Sequence, residues 1–275
     1  MLVTANRHTI DVPRSSCRTI SEGIGAAGIR LNGVRAATRY AAVVGFSSAL
    51  VLFAHPDDAE FSCGGTVARW AREGCAVHYV CITDGSAGSN DPGTTREAMR
   101  EVRERELHAA ADVLGVSSVT FLGELDGFLE VTPETRRKVT REVRRLRPDV
   151  IVAPDPSRLW SGRGYINHSD HKAAGALALS AVMPDAPTRV LFQNLEEEGI
   201  DPFEVPNLYL VTEEPDTFVD IGETFDVKVK ALRAHGSQVG VDVEERVAER
   251  ARALGDLAGC EYAEGFKAFR FVDDA

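Results

Sequence analysis

The sequence predicts an α/β fold in which a mostly parallel sheet lies between two layers of helices. The run 50–53 (Leu-Val-Leu-Phe) is apolar and lacks helical periodicity, as expected of a strand buried on both faces. Further short apolar runs at 76–83, 118–122 and 149–153 alternate with helical segments, a spacing that implies right-handed parallel crossovers. With 275 residues, the chain can bury one substantial core. Together these observations indicate a Rossmann-like three-layer sandwich.

The helices between these strands have recognisable starts and faces. The first is predicted to open at Gly64, and the second, at 96–114, carries a rough apolar stripe opposite a face of Arg and Glu. Thr132 is a good cap and Pro133 fits the first helical position, so a third helix begins there. An Ala-rich helical run follows the fourth strand at 172–183.

The C-terminal part shows shorter β-like runs followed by helical segments and an aromatic-rich terminal strand. It is predicted to form a small β/α cap on the core sheet. The strands expected in this part are 189–192, 208–211, 218–220 and 266–271, and the helices are 222–234 and 243–257.

The expected organisation is a single domain of residues 47–275, divided into a Rossmann-like core (47–185) and the C-terminal cap (186–275). Residues 1–46 show no sustained pattern and carry six arginines against two acidic residues. They are expected to be a poorly ordered extension or the product of a start codon assigned too far upstream. A basic arm that binds a partner is the alternative.

Composition and charge limit the partners. A net charge of −11 argues against nucleic acid or an anionic membrane, because nothing would neutralise the phosphates. The apolar run 41–53 is too short to span a bilayer. The five cysteines are odd in number and lack paired spacing, which indicates reduced thiols. We therefore expect a cytoplasmic protein with no integral membrane segment, while a homo-oligomer stays open.

The turn after the first strand concentrates metal-binding side chains. Pro56 cannot donate to a sheet ladder and holds His55 in an extended conformation, so the strand ends there. His55 and Asp58 then lie at the carboxyl end of the strand, where open α/β sheets bind ligands. An imidazole and a carboxylate on one tight turn provide half of a zinc site.

The second half is predicted in the Asn-His-Ser-Asp-His sequence just before the Ala-rich helix. If His171 joins His55 and Asp58, two histidines and one carboxylate leave the fourth position to water, as in a catalytic rather than a structural zinc site. Asp57 and His168 remain as acid–base groups on either side of the metal. A buried structural histidine pair is the simpler alternative.

These motifs resemble the LmbE-like, or PIG-L, family of zinc-dependent N-deacetylases. The matching segments follow the family's order over residues 50–240. They are 54–60, 83–85, 103–106, 114–116, 126–127, 168–171 and 235–238.

The resemblance implies a metal-dependent amide hydrolase that removes the N-acetyl group of an N-acetylglucosamine-type sugar or sugar conjugate. It implies one zinc ion, with other divalent metals open, and a small N-acetylated sugar or glycoconjugate as the partner. Arg103 and Asp126 match positions that the family uses to bind the substrate. His235 lies in a family signature whose role varies, so it stays outside the catalytic set.

The hypothesised mechanism is attack of a metal-bound water on the amide. Asp57 is expected to take the proton of this water as general base. His168 is expected to stabilise the oxyanion and is a candidate to protonate the departing amine. Asp170 is expected to hold the imidazole of His168 in the required tautomer.

Other interpretations remain beside this one. Within the family, the alternative is an amidase of a larger thiol or sugar conjugate. Outside it, the alternatives are an inactive scaffold and a metal-independent Rossmann-like nucleotide-binding module, although no Gly-x-Gly-x-x-Gly follows the first strand. The loop 154–167 is expected to form a pocket wall and lid, or else a surface loop pinned by its aromatic residues.

Overall fold

The computed structural model of the chain describes residues 45–161 and 164–271. Nearly all of the predicted N-terminal extension, residues 1–44, lies outside the described residues. The described part forms a seven-stranded, mostly parallel sheet flanked by helices, which confirms the predicted fold class.

The elements of the sheet and its helices are numbered in chain order. The strands are β1 (Ser48–Phe53), β2 (Ala76–Thr83), β3 (Ser118–Glu124), β4 (Val150–Pro154), β5 (Trp160–Ser161), β6 (Tyr165–Ile166), β7 (Asn207–Val211), β8 (Thr217–Asp220) and β9 (Ala263–Arg270). The α-helices are α1 (Asp58–Arg72), α2 (Arg96–Leu114), α3 (Pro133–Leu146), α4 (Ser169–Ser180), α5 (Gln193–Glu197), α6 (Phe225–Leu232) and α7 (Val243–Ala258).

The order of strands in the sheet creates a binding edge. The order is β3-β2-β1-β4-β7-β9-β8, with the first five strands parallel and β9 antiparallel to both β7 and β8. β2 and β3 lie on one side of β1, whereas β4 and β7 lie on the other. The direction of winding therefore changes between β1 and β4, and ligands of open α/β sheets bind at the carboxyl edge of such a switch point.

Successive residues of β1 face two different hydrophobic layers. Val51 packs in the layer that contains Leu107 of α2, whereas Leu52 packs with Val143 of α3 and Leu177 of α4. Each fully buried side chain of this size contributes about 1.5–3 kcal/mol relative to an exposed one. Because both faces of β1 are covered, the sheet holds the polar turn at the end of β1 in a fixed place.

The start of α1 differs from the prediction. The helix begins at Asp58, not at Gly64, and the backbone is non-helical at Cys63 (φ −141°, ψ 19°). Asp58 and Glu60 lie in the first turn, where negative side chains interact favourably with the helix dipole. The predicted start at Gly64 thus corresponds to the part of the helix that follows this kink.

The C-terminal part also differs in detail. The strand predicted at 189–192 is wrong, since a 3₁₀ helix (Arg189–Leu191) and α5 occupy this region. A short apolar run has no strong preference for a strand unless a neighbouring strand pairs with it. In addition, β7 pairs directly with β4, so the C-terminal strands extend the central sheet. The division into core and cap near residue 185 stays a prediction.

Two further expectations concern the described residues alone. Within 45–161 and 164–271, no helix combines the length and the apolar character needed to cross a membrane. The four cysteines in these ranges are free, and three of them are buried: Cys63, Cys75 and Cys81. The cytoplasmic location stays a prediction.

Candidate active site

The turn after β1 presents three reactive side chains at the switch point. The backbone N–H of His55 donates to Oδ2 of Asp58 at 2.9 Å, and the N–H of Asp58 donates to the carbonyl of His55 at 3.3 Å. Between them, Asp57 has a φ of 111°. Residues other than glycine rarely adopt this conformation, and such residues cluster at functional sites.

The three predicted metal ligands come together within one small volume. His55 Nδ1 lies 3.1 Å from His171 Nε2, and His171 Nε2 lies 3.0 Å from Asp58 Oδ1. His55 Nδ1 lies 3.4 Å from Asp58 Oδ2. Zinc bonds of about 2.0–2.1 Å at tetrahedral angles place ligand atoms about 3.3 Å apart. The spacing of these donor atoms therefore fits a single metal ion.

The second nitrogen of each imidazole has a partner that orients the ring. Nδ1 of His171 lies 2.9 Å from Oδ1 of Asn167, whose amide nitrogen donates to the carbonyl of Arg158 at 2.7 Å. Oδ1 of Asn167 can only accept a hydrogen bond. Nδ1 of His171 therefore carries the proton, and Nε2 keeps a free lone pair. Nε2 of His55 faces Asp126 at 3.2 Å and Asp170 at 3.3 Å. A carboxylate behind a ligating histidine is the usual outer support of a metal site.

A second group of donor atoms consists of His55, His168 and Asp170. It suits an ion less well, because both oxygens of Asp170 already accept backbone hydrogen bonds. Gly127 donates at 2.8 Å and Leu129 at 3.3 Å. In the first group, by contrast, Asp58 accepts a backbone hydrogen bond only at Oδ2. Its Oδ1 therefore stays available beside Nε2 of His171.

Positive and negative charges among the predicted metal ligands and their neighbours are unbalanced. Burial favours a neutral His55, but the carboxylates of Asp58, Asp126 and Asp170 outweigh it and raise the pKa of His55 to about 12. Burial likewise opposes ionisation of Asp58, yet the imidazoles of His171 and His55 hold its pKa well below the usual range. The cluster thus stabilises positive charge at its centre, as a cation-binding site requires.

Asp57 lies beside this cluster without joining it. Burial, followed by the charge of Asp58, raises the pKa of Asp57 to about 7, against the opposing effect of Arg103. Nη2 of Arg103 lies 3.3 Å from Asp57 Oδ2 and donates to the carbonyl of Pro56 at 2.6 Å. The guanidinium group therefore fixes both the backbone and the carboxylate of the turn.

The expected hydrogen bond between Asp170 and His168 is not formed by the carboxylate. Oδ1 of Asp170 lies 3.7 Å from Nδ1 of His168, whereas the backbone N–H of Asp170 donates to this nitrogen at 3.2 Å. His168 is thus the N-cap of α4, and its ring proton lies on Nε2. The carboxylate of Asp170 reaches His55 instead. Burial and the charge of His55 lower the pKa of His168.

Arg103 and Asp126 are buried behind the turn. Each is 4% exposed, and they pair with each other at 3.5 Å. Arg103 also donates to the carbonyl of Gly85 at 3.2 Å, and Asp126 accepts from the N–H of Ala87 at 3.0 Å. These contacts support the Gly-rich loop after β2 and leave direct contact with a sugar a prediction.

The family of this chain is shown by its similarity to known proteins. The model of the GlcNAc-PI de-N-acetylase (PIG-L) family matches residues 50–182. The diacetylchitobiose deacetylase of Thermococcus kodakarensis is 32% identical over 222 residues, which cover 78% of this chain and 79% of the relative. This chain belongs to the PIG-L family.

Two further relatives agree with this assignment. The probable N-acetyl-alpha-D-glucosaminyl L-malate deacetylase 2 of Bacillus anthracis is 31% identical over 82% of this chain and 96% of the relative. The structure of N,N'-diacetylchitobiose deacetylase from Pyrococcus horikoshii superimposes with a TM-score of 0.76 at 29% identity, over 82% of this chain and 84% of that one. Deacetylases of this kind are amide hydrolases, so the predicted family and enzyme class are confirmed.

The segment 235–238, which resembles a family signature, has a supporting role that the sequence did not reveal. Nε2 of His235 lies 3.2 Å from Oε2 of Glu60 in α1, and both side chains are fully buried. Ser237 donates through both N–H and hydroxyl to Glu106 of α2, each at 2.7 Å. Gln238 donates to the carbonyl of Gly88 at 3.0 Å. The motif therefore ties together the three segments around the metal turn.

A cavity of about 340 Å³ opens onto the predicted metal ligands Asp58 and His171. Arg158 and Tyr165 of the loop 154–167 line it, as expected of a pocket wall, whereas Trp160 does not and is 64% exposed. Its volume lies within the range of small-molecule sites. The candidate site thus combines two of the predicted metal ligands with a ligand-sized cavity.

Proposed function

We propose that this PIG-L family chain is a zinc-dependent N-deacetylase that releases acetate from an N-acetylglucosamine-type sugar or sugar conjugate. The observation that carries the proposal is that ligand atoms of His55, His171 and Asp58 lie pairwise 3.0–3.4 Å apart. Two imidazoles and one carboxylate are a donor set that suits a catalytic zinc. The related deacetylases named above support the substrate class.

His55, Asp58 and His171 would hold the ion. A zinc ion there would polarise the amide carbonyl and make a coordinated water more acidic. The chain's own contribution begins with orientation, because Asn167 fixes His171 while Asp126 and Asp170 face His55.

Asp57 is the proposed general base. Its raised pKa of about 7 suits a group that takes a proton from water near neutral pH. Arg103 holds the carboxylate in place at 3.3 Å. Since Asp57 follows Pro56 in the same turn as the metal ligand Asp58, its position relative to the ion is set by the backbone.

His168 is proposed to stabilise the oxyanion. Its side chain is 45% exposed, and the backbone bond to Nδ1 leaves the Nε2–H free to donate to substrate. A neutral His168 has no second proton to transfer. We therefore assign the proton that reaches the departing amine to Asp57, which has taken it from water.

Acetate release tests the proposal. Purified chain should release acetate from N,N'-diacetylchitobiose or N-acetylglucosaminyl malate, lose this activity with a chelator and regain it with zinc. Zinc measured on the same sample should approach one ion per chain. A sample that contains no zinc, releases no acetate and binds nucleotide would instead support the nucleotide-binding module.

A further inference from the structure

The cavity at the candidate site has a strongly basic wall besides its metal-site end. Three arginines line this wall: Arg158 from the loop after β4, and Arg246 and Arg250 from α7. Arg246 and Arg250 are four residues apart and lie on one face of the helix. Val247 and Leu254 of the same helix also line the cavity, so the basic groups lie beside an apolar strip.

The carboxylates near this wall do not balance it. Arg158 Nη2 lies 2.5 Å from Glu213 Oε1, and Arg250 Nη2 lies 3.9 Å from the same oxygen. Within 45–161 and 164–271, no carboxylate lies within 4.0 Å of Arg246. The lining also contains Asp155, whose carboxylate accepts from the N–H and hydroxyl of Ser157.

Within the described residues, these three guanidinium groups therefore have one carboxylate within 4.0 Å, that of Glu213. Among the other charged groups in the lining, Lys228 pairs with Glu264 at 2.5 Å, and Asp58 belongs to the proposed metal site. Since the whole chain carries a net charge of −11, a basic wall here runs against the general surface charge. Arginine forks match the geometry of carboxylates and phosphates, and they are the usual choice where such groups are bound.

We propose that the wall formed by Arg158, Arg246 and Arg250 binds an anionic group on the aglycone of the sugar substrate. This inference rests on the proposed deacetylase function and narrows its substrate class. The N-acetylated sugar lies at the Asp58 and His171 end, while a carboxylate or a phosphate on the attached group contacts the arginines. Neutral sugars lack this contact.

Kinetics on charged and neutral substrates test the inference. The arms are N-acetylglucosaminyl malate for a carboxylate, N-acetylglucosamine 1-phosphate for a phosphate, and N,N'-diacetylchitobiose as the neutral reference. For the preferred anionic substrate, Arg246→Gln and Arg250→Gln should each raise KM about tenfold with kcat nearly unchanged, because each removes a charge-assisted contact. Turnover of the neutral substrate should not change.

Arg252→Gln is the matched control. Arg252 lies on the same helix and contacts Tyr262 outside the cavity. Its replacement by Gln removes the same charge as the two test variants. It should leave all three substrates unaffected. The preference of the unmodified chain for the anionic substrate should also shrink as salt is raised, because exposed charges are screened.

A binding measurement separates this inference from the deacetylase proposal. Calorimetry on the zinc-loaded Asp57→Asn variant should show tighter binding of an anionic sugar than of the neutral one. This difference should disappear when Arg246 and Arg250 are both replaced by Gln. If no sugar releases acetate but this pattern holds, the deacetylase proposal fails and the anion site stands. If all three sugars behave alike, in kinetics and in binding, the inference is wrong.

Discussion

Two buried groups of charged side chains in this chain differ in whether their positive and negative charges balance. In the α6–β9 region, Lys228 pairs with Glu264, and the side chains are 4% and 3% exposed. The Glu264 carboxylate also accepts from the backbone N–H groups of Gly65 and Thr66 at 3.0 and 2.7 Å. This pair is balanced and its carboxylate is fully hydrogen-bonded, so it needs no further partner.

The charged side chains around the predicted metal ligands, at the carboxyl edge of β1 and β4, are not balanced in this way. Three carboxylates, those of Asp58, Asp126 and Asp170, face the imidazole of His55, and the carboxylate of Asp57 lies beside them. Within the described residues, Arg103 is the single arginine whose side chain lies within 4.0 Å of any of these carboxylates. Buried charges that lack a counter-charge are costly. The excess of carboxylates suits the cation that we propose for this site, whereas Lys228 and Glu264 form a fixed contact between elements.

Removing a metal ligand should have the largest effect. His171→Ala deletes one of three ligands, so bound zinc should fall to background. Acetate release should fall by more than the roughly 10–100-fold expected for an outer partner of a ligand. Zinc content and activity are measured on the same sample. His108→Ala, on the exposed face of α2, should keep both.

Removing the base should cost nearly as much activity and leave the metal bound. Asp57→Asn keeps the shape of the side chain, and asparagine also tolerates a positive φ. We expect kcat to fall about 10²–10⁴-fold while one zinc per chain is retained. Full activity in this variant would rule out Asp57 as the base.

The outer carboxylates should have an intermediate effect. Asp126→Asn and Asp170→Asn each remove a negative charge that faces Nε2 of His55. Zinc affinity should fall about 10–100-fold in either variant. Competition with a chelator of known affinity measures this. An unchanged affinity in both variants would show that these carboxylates do not support the ligand.

Disrupting the balanced pair should change stability and leave the metal site intact. Lys228→Met leaves the Glu264 carboxylate buried without its counter-charge, which costs about 3–5 kcal/mol of unfolding free energy. The double variant Lys228→Met with Glu264→Leu should recover part of this loss. Denaturant unfolding measures the free energies, and zinc affinity should match the unmodified chain. Loss of zinc in Lys228→Met would show that the pair of Lys228 and Glu264 is not independent of the metal site.

The sequence predicted the parts of this site that depend on local pattern and on family motifs. Pro56 follows the apolar run 50–53 closely and ends the strand, so His55 was expected in a turn at the carboxyl edge. Local pattern also predicted the alternation of strands and helices. His171 was joined to His55 and Asp58 because two histidines and a carboxylate suit a catalytic zinc and because the motifs resemble the PIG-L family. The pairing of β1 with β4, which brings the two histidines to one edge, is known only from the structure.

The sequence could not predict contacts that depend on tertiary packing. The carboxylate of Asp170 faces His55 because the N–H groups of Gly127 and Leu129 hold it there. The pairing of Glu60 with His235 joins residues 175 positions apart. No local pattern records either contact. The error at 189–192 has a similar cause, since a short apolar run becomes a strand only if a neighbour pairs with it.

Anomalous diffraction at the zinc edge, from crystals of the zinc-loaded chain, would locate the metal relative to its three proposed ligands. We expect one strong peak per chain, about 2.0–2.1 Å from His55 Nδ1, His171 Nε2 and a carboxylate oxygen of Asp58. Crystals with full zinc loading that show no peak among these three residues, or a peak at other side chains, would contradict this expectation.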